Sequence, residues 1–399
     1  MYNIRKVTEN LYWVGGNDRR LALFENIHPI PEGVSYNSYL LLDEKTVLLD
    51  TVDWSIGEQF IENVQYVLGD RPLDYMVINH MEPDHAGCIE EITCRYPDVK
   101  IIGNKKTFDF MEQFGFKVNE NCIEVKDGDT LSLGKHEFLF ISAPMVHWPE
   151  TMATFDTTNG VLFSADAFGT FGSLDGKLFN DEVNFERDFL VPARRYYTNI
   201  VGKYGPQVQS LLKKASDLDI KYICPLHGPV WRTDIDYFID KYDKWSSYEP
   251  EEKGVLIVYG SMYGNTEKAA ENIAIRLAEK GMSNITMYDA SKTHVSYLIA
   301  DAFKYSHIVL ASATYNLNIY PPVENFIRDM KALNLQKRTV AIIENGTWAP
   351  RSGQLMRQLL GEMKEMNVLE HEILIKSSMK EENVDEMEAL ANSIIESIK

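Results

Sequence analysis

The chain has 399 residues, of which 45% are apolar and 25% charged, and its 59 acidic and 40 basic side chains give a net charge of −19. This composition is typical of a globular protein with two or three domains and excludes disordered, collagen-like and coiled-coil chains. No apolar stretch is long enough to span a membrane, and the negative charge disfavours nucleic acid as a partner.

The four cysteines, Cys88, Cys94, Cys122 and Cys224, are scattered and form no CxxC pair. This argues against a disulfide scaffold, a cysteine zinc site and an attached rubredoxin-like module. No hydrophobic stretch of the kind found in signal peptides follows Met1–Lys6. We therefore expect a cytoplasmic protein that has no membrane partner.

The first 250 residues carry short strands in hairpin-like pairs, with helical segments between them. The predicted strands include Tyr36–Leu42, Lys45–Thr51 and a group within Cys122–Ala143, and the predicted helices are Ile56–Leu68 and Ala193–Ala215. This pattern indicates a mixed α/β sandwich rather than a continuous wound sheet.

A cluster of potential metal ligands follows the strand-like run Asp74–Asn79. The sequence there reads His80-Met81-Glu82-Pro83-Asp84-His85, an HxExDH hexad in which Pro83 is expected to stiffen a loop before the next helix. Three more candidates, His147, Asp166 and His227, each follow an apolar strand. Functional groups are expected on loops at the ends of strands, so we expect all of these side chains to form one site.

The ligand set itself constrains the metal. Four imidazoles and three carboxylates are too many for one tetrahedral zinc ion, but they suit two metal ions that share a carboxylate bridge. Two divalent ions bring four positive charges against three negative ones, so the site is nearly neutral. A nitrogen and carboxylate set without thiolate favours iron or manganese, although zinc stays open.

The best domain boundary lies near Trp245–Gly254, a polar segment with a proline and a glycine, and we place the domains at 1–249 and 250–399. Beyond it, strand-like runs alternate with helical segments, which predicts one doubly wound parallel sheet. The predicted strands are Gly254–Gly260, Asn284–Ala290, His307–Thr314, Arg338–Gly346 and His371–Ser377.

Three loops at the carboxyl ends of these strands form a candidate cofactor site. The first loop can bind a terminal phosphate through backbone N–H groups and hydroxyls, and aromatic residues in the other two can stack on a planar ring. The loops are Ser261-Met262-Tyr263-Gly264-Asn265-Thr266, Ala313-Thr314-Tyr315-Asn316 and Asn345-Gly346-Thr347-Trp348. The first matches neither the dinucleotide nor the nucleoside triphosphate motif.

The hexad with its distant His, Asp and His resembles the metallo-β-lactamase superfamily, whose hydrolases carry HxHxDH and bind zinc. Glu82 stands in place of the second histidine, which resembles the flavodiiron proteins, and the three loops look like those of a flavodoxin. The resemblance covers essentially the whole chain. It implies an α/β multidomain fold, with an N-terminal metallo-β-lactamase-like αββα sandwich and a C-terminal flavodoxin-like doubly wound parallel sheet.

The resemblance also implies FMN, two non-haem iron ions per chain, and reduction of O2 to water or of NO to N2O, which protects against oxygen or nitrosative stress. It assigns His80, Glu82 and His147 to the iron nearer the flavin, and Asp84, His85 and His227 to the other iron. Asp166 would bridge the two, and His85 is a ligand that some family members leave off the metal. Tyr196 and Trp148 are the candidate catalytic residues beside the open coordination positions.

The implied partners are an electron donor, either rubredoxin or a reduced deazaflavin coenzyme, and a second copy of the chain in a head-to-tail homodimer or a pair of such dimers. One alternative is a zinc hydrolase of the metallo-β-lactamase type with a flavodoxin-like passenger domain, which Glu82 disfavours. A second alternative is a flavodoxin electron carrier on a metal-free scaffold, which the complete ligand set disfavours.

Overall fold

The computed structural model describes residues 2–398, so Met1 and Lys399, the outer ends of the two predicted domains, lie outside the described residues. The chain forms two compact units. The first contains the chain up to Tyr197 together with Pro206–Tyr242, and the second contains Thr198–Gly205 and the chain from Asp243 onward.

The first unit is built on two β-sheets. The seven strands of the first sheet lie in the order Arg5–Lys6, Leu11–Trp13, Tyr39–Leu42, Thr46–Leu49, Tyr75–Val77, Lys100–Gly103 and Cys122–Glu124. The five strands of the second lie in the order Thr130–Ser132, Glu137–Ser142, Met152–Asp156, Val161–Phe163 and Tyr222–Cys224. Two further strand pairs join Gly16–Asp18 to Val34–Tyr36 and Leu23–Phe24 to His28–Pro29.

The two sheets share one apolar core. Val47 and Leu49 of the first sheet belong to the same buried cluster as Phe138, Phe140 and Phe163 of the second. The predicted hairpin forms, because Leu41 pairs with Val47 and Leu42 with Thr46 across a tight turn. Burial of these apolar strand faces against each other is what holds a sandwich together.

Of the two helices predicted before residue 250, one forms as Gly57–Leu68 and the other is interrupted. The helices before residue 250 are Gly57–Leu68, Pro83–Ala86, Ile89–Arg95, Lys105–Gln113, Phe185–Asp188, Leu190–Tyr196, Gly205–Ala215 and Ile235–Ser246, with 3₁₀ turns at Trp54–Ile56, Asn180–Glu182 and Gly202–Tyr204. The segment Ala193–Ala215, predicted as one helix, passes through a π-helical turn at Tyr197–Val201 and then a 3₁₀ turn. Such turns change the direction of the helix and are frequent near functional sites.

The second unit is an open parallel sheet with the strand order 2-1-3-4-5 of the flavodoxin-like doubly wound fold. In that spatial order its strands are Ile285–Asp289, Glu252–Gly260, Tyr305–Tyr315, Arg338–Asn345 and Met366–Ile375, and the short strand Asn318–Ile319 pairs with the third. Its helices are Asn265–Glu279, Val295–Lys304, Pro321–Ala332, Ser352–Gly361 and Glu382–Ile398. All five predicted strands are present, and each end lies within five residues of its predicted position.

The segment before the predicted boundary at 249/250 packs with the second unit. The buried Arg338 guanidinium donates hydrogen bonds to the carbonyl oxygens of Tyr248, Ala302 and Phe303. The boundary at 249/250 stays a prediction. Among residues 2–398, no helix is long and apolar enough to cross a membrane.

Candidate metal centre and cofactor cavity

The seven predicted metal ligands come together at the ends of strands in the first unit. The HxExDH hexad follows the strand Tyr75–Val77, and Pro83 begins the one-turn helix Pro83–Ala86. The expectation that Pro83 stiffens a loop is therefore wrong in detail: because proline is well tolerated in the first turn of a helix, Asp84 and His85 are helical.

Four of the side chains form a first group, His80, Glu82, His147 and Asp166, whose potential ligand atoms all lie within 4.8 Å of one another. Glu82 Oε2 lies 3.2 Å from His80 Nε2 and 3.0 Å from His147 Nε2. Asp166 Oδ2 lies 3.4 Å and 3.2 Å from the same two nitrogens. Two imidazoles and two carboxylates thus point at a common centre.

The remaining three side chains form a second group, Asp84, His85 and His227. Asp84 Oδ2 lies 3.3 Å from both His85 Nε2 and His227 Nε2. The other carboxylate oxygen of Asp166, Oδ1, faces this group, 3.1 Å from His85 Nε2 and 3.6 Å from His227 Nε2. Asp166 thus directs one oxygen to each group, as a bridging ligand would, and His85 lies within the second group.

Most polar atoms of the second group have no hydrogen-bond partner among the described residues. Within residues 2–398, no partner is present for six buried atoms, namely both carboxylate oxygens of Asp84, both ring nitrogens of His85, Oδ1 of Asp166 and Nε2 of His227. Buried polar atoms that make no hydrogen bond cost free energy, so this arrangement fits a bound cation that the unpaired atoms would ligate. The described residues therefore suit a pair of metal ions.

The pKa shifts of the carboxylates also fit a bound cation. Burial, together with the nearby carboxylates Glu82 and Asp166, raises the pKa of Asp84 to about 7. Burial alone would also raise the pKa of Asp166, but the neighbouring His85 and His80 hold it well below its usual range. A cation beside Asp84 would keep its carboxyl ionised, which is the form that ligates metal.

Three residues that sequence reasoning did not single out hold the histidines in place. Glu150 Oε1 accepts a hydrogen bond of 2.8 Å from His80 Nδ1, and the carbonyl oxygen of Ser35 accepts one of 2.8 Å from His227 Nδ1. Asp50 Oδ1 accepts the backbone N–H of His80. In both histidines Nδ1 is thereby the donor, which leaves the Nε2 lone pair free to bind metal. No sequence spacing connects Glu150 or Ser35 to the hexad, so these contacts could not be predicted.

Glu25 is a further acidic residue at this site. It lies at the turn between the strands Leu23–Phe24 and His28–Pro29, with a left-handed φ of 48°. Burial and the nearby Glu82 carboxylate raise the pKa of Glu25 to about 7. Its strands are only two residues long, so no periodicity in the sequence indicated that this turn reaches the site.

The two candidate catalytic residues lie next to the ligands. The ring of Tyr196 is fully buried, its centroid is 5.3 Å from that of His227, and its hydroxyl has no partner among the described residues. A Cβ at Gly169 would lie 2.8 Å from the Tyr196 ring, so the glycine permits this close approach. The Trp148 ring meets the His80 ring edge-on at 5.4 Å.

A cavity of about 280 Å³ opens at the carboxyl ends of the strands in the second unit. Thirteen of the fourteen predicted cofactor residues line it, namely Ser261, Met262, Tyr263, Asn265, Thr266, Ala313, Thr314, Tyr315, Asn316, Asn345, Gly346, Thr347 and Trp348. Gly264 does not line the cavity but caps the helix Asn265–Glu279 with a left-handed φ of 89° that favours glycine. Leu317 and Ser377 also line the cavity and were not predicted.

The phosphate-binding part of this cavity is preorganised. Ser261 Oγ accepts the backbone N–H of Gly264, which fixes the loop at the start of a 15-residue helix. Thr266 is 2% exposed and lies in the first turn of that helix. Backbone N–H groups at a helix N-terminus favour a bound anion.

Side chains also tie the other two loops together. Thr314 Oγ1 accepts the backbone N–H groups of Arg351 and Ser352. Ser377, after the fifth strand, donates to Thr347 Oγ1. The exposed Trp348 and Tyr263 lie at the rim, where their rings are free to pack on a planar ligand. These features fit a flavin mononucleotide, a planar ring with one terminal phosphate.

Two family models match the chain. Residues 34–228 match the ODP family beta lactamase, and residues 256–373 match a flavodoxin domain. An anaerobic nitric oxide reductase flavorubredoxin from Vibrio vulnificus is 32% identical over 347 residues, which cover 86% of this chain and 70% of that protein. An uncharacterised protein from Methanocaldococcus jannaschii is 30% identical over 382 residues, 96% of this chain and 95% of its own.

Solved structures of similar architecture cover nearly the whole chain. The rubredoxin oxygen:oxidoreductase from Desulfovibrio gigas aligns with a TM-score of 0.93 and 26% identity, over 99% of this chain and 98% of its own. The flavodiiron protein from Giardia intestinalis aligns with a TM-score of 0.93 and 25% identity, over 100% of this chain and 98% of its own.

Proposed function

Because this chain belongs to the flavodiiron protein family, we propose that it is an FMN- and di-iron-dependent oxidoreductase that reduces O2 to water, NO to N2O, or both. The fold class predicted from the sequence, a metallo-β-lactamase-like sandwich followed by a flavodoxin-like sheet, is confirmed. The zinc hydrolase alternative is not favoured, since two relatives that match across both domains are named as a nitric oxide reductase flavorubredoxin and a rubredoxin oxygen:oxidoreductase.

The observation that carries this proposal is the division of seven potential ligands, five of them buried, into two groups around Asp166. Asp166 directs Oδ2 at His80 and His147, and Oδ1 at His85 and His227. We propose that His80, Glu82 and His147 hold one iron, that Asp84, His85 and His227 hold the other, and that Asp166 bridges them. Bound there, the iron pair and FMN would supply the one- and two-electron chemistry that O2 and NO reduction require.

The chain's own residues would bind, orient and shield these groups. The hydrogen bonds from His80 to Glu150 and from His227 to Ser35 hold the two imidazoles so that Nε2 faces the metal position. Burial of the four histidines and Asp166 excludes water from around them, which strengthens the electrostatic interactions at the site. The proton balance, four protons per O2 or two per pair of NO molecules, requires a proton donor near the metal pair.

We propose Tyr196 as that donor, with Trp148 as a wall of the substrate pocket. The Tyr196 hydroxyl is buried beside His227 and has no hydrogen-bond partner in the described part of the chain. Burial, together with the nearby Asp166 carboxylate, raises the pKa of Tyr196 well above the usual range, so the phenol carries its proton. A phenol so placed can donate a hydrogen bond or a proton to a substrate oxygen.

We expect Tyr196→Phe to lower O2 and NO turnover by about 10²-fold, the lower end of what a positioned proton donor contributes. The measurement is gas consumption at an O2 or NO electrode under saturating reductant. Tyr66→Phe, at a half-exposed tyrosine, is the matched control. Unchanged turnover for Tyr196→Phe would show that Tyr196 is only a packing residue.

The loop Ser261–Thr266 would bind the FMN phosphate. We expect Thr266→Ala to weaken FMN binding by one to two powers of ten, because a hydrogen bond to a charged group contributes ~1.5–3 kcal/mol. Fluorescence titration of the FMN-free protein measures the dissociation constant. Thr266→Ser keeps the hydroxyl and should bind nearly as tightly as the wild type, whereas FAD as the bound flavin, or unchanged affinity for Thr266→Ala, would contradict the assignment.

The assembly and partners belong to the same proposal. We propose a cytoplasmic enzyme that accepts electrons from rubredoxin or a reduced deazaflavin coenzyme and works as a head-to-tail homodimer or a pair of such dimers. The chain would divide at 249/250 into a di-iron domain and an FMN domain. Rubredoxin as the electron donor is supported by the name of one structural relative, the rubredoxin oxygen:oxidoreductase.

The proposed function is tested by turnover. Anaerobic protein loaded with iron and FMN, and reduced by an excess of donor, should consume O2 to water without releasing hydrogen peroxide, or convert NO to N2O. Gas electrodes and gas chromatography measure both reactions. A loaded protein that consumes neither gas would refute the proposal.

A further inference from the structure

The histidines at the two metal positions differ in the residues that accept hydrogen bonds from them. The first position is the group His80, Glu82, His147 and Asp166, and the second is the group Asp84, His85 and His227 with Asp166 Oδ1. The difference lies in what the histidines contact with the ring nitrogen that faces away from the metal. Such contacts orient metal-binding histidines and tune their basicity.

At the first position the supporting group is a carboxylate. Glu150 is 0% exposed, and its Oε1 accepts both the Nδ1–H of His80, at 2.8 Å, and the backbone N–H of Met81, at 2.9 Å. Its other oxygen, Oε2, has no partner among the described residues. Two hydrogen bonds thus direct the negative charge of Glu150 toward the hexad.

At the second position no carboxylate among residues 2–398 accepts a hydrogen bond from the Nδ1 atom of a ligand histidine. His227 Nδ1 donates to the backbone carbonyl of Ser35, an uncharged acceptor. His85 Nδ1 is buried without a partner in the described part of the chain. A backbone carbonyl is enough to fix the tautomer of a histidine. A fully buried carboxylate is costly to desolvate, so we infer that Glu150 contributes more to His80 than its orientation.

That extra contribution is charge. An anionic acceptor makes an imidazole a stronger electron donor to its metal than a neutral acceptor does, and it adds electrostatic attraction for a cation. Glu150 also lies three residues after His147, so one short segment carries a ligand of the first position and the support for another.

We propose that Glu150 is a positioning residue that makes the first metal position the tighter of the two. This inference rests on the proposed function, since it concerns the same metal pair. It predicts that the apoprotein fills in two steps, the first position before the second, and that a chelator empties the second position first.

The test is metal binding by the full-length FMN-loaded chain, titrated anaerobically with Co²⁺ alone and followed by the visible absorption of the bound ion. E150Q keeps the shape of the side chain and removes its charge. The effect of E150Q on Co²⁺ affinity is to be measured in two backgrounds. His227→Ala disables the second position, and His147→Ala disables the first. E120Q, at an exposed site, is the control for a carboxylate lost elsewhere.

We expect E150Q to weaken Co²⁺ binding by about 10- to 100-fold in the His227→Ala background and by less than about threefold in the His147→Ala background. A purely structural role would weaken both positions alike and lower the melting temperature of the metal-free chain. Equal effects in the two backgrounds, or none in either, would overturn the proposal. A wild-type chain that binds no pair of metal ions would instead refute the proposed function.

Discussion

Replacing Asp166 by alanine is expected to remove both metal ions from the chain rather than one. Asp166 is 1% exposed, and its two carboxylate oxygens face different groups of ligands. Without Asp166, each metal position loses a ligand. The negative charge between the two groups, which attracts both cations, is lost as well. Iron per chain, measured by mass spectrometry after anaerobic reconstitution, should fall from two toward zero.

Two further variants separate this loss from misfolding. Asp166→Asn keeps the volume of the side chain but replaces one ligating oxygen by an amide nitrogen, so it should also lose both ions. Asp70→Ala removes an exposed carboxyl and should keep two irons. All three variants should retain FMN and a native circular dichroism spectrum. Two irons retained in Asp166→Ala would refute the bridge, and one retained would refute its equal role at both positions.

The second large effect concerns electron transfer between subunits. The FMN cavity and the metal ligands belong to separate compact units of the chain. Electron transfer falls steeply with distance, so the proposed head-to-tail dimer would place the flavin of one subunit beside the irons of the other. A chain without iron and a chain without FMN should then complement each other.

We expect Asp166→Ala, which lacks iron, and a Gly264→Val/Thr266→Ala double variant, which lacks FMN, each to be inactive alone. Valine at Gly264 would be strained at a φ of 89°. A co-expressed heterodimer, purified through two different tags, contains one complete FMN and iron pair. It should therefore recover about half of the wild-type turnover per dimer.

The control is a heterodimer of two Asp166→Ala chains with the same two tags, which should stay inactive. An inactive mixed heterodimer would contradict transfer between subunits. Full turnover by a chain that sedimentation shows to be a monomer would contradict the dimer requirement altogether.

Much of the metal site could be predicted because most of its ligands directly follow strands. His80, His147, Asp166 and His227 follow short apolar runs that are predicted to be buried strands, and the ends of strands in one sandwich come close together. The support around them could not be predicted. Glu150 reaches His80 across 70 residues, through a contact that the packing of separate loops creates.

The parallel sheet was predictable for a related reason. Its long apolar strands, such as Glu252–Gly260 and Tyr305–Tyr315, are buried along nearly their whole length and therefore read as continuous runs. Strands of two or three residues, such as Arg5–Lys6 and Leu23–Phe24, are too short for any alternation to be visible. The interruption of the predicted helix at Tyr197–Val201 was not predicted, because helix propensity does not distinguish a π-helical turn from an α-helical one.

The metal and flavin content of the purified chain, measured by mass spectrometry, decides whether this chain is a flavodiiron enzyme. We expect two irons and one FMN per chain, and we expect Asp166→Ala to lose both irons together. Two zinc ions in an active hydrolase, or a flavin-loaded chain that binds no metal after anaerobic reconstitution with iron, would contradict it.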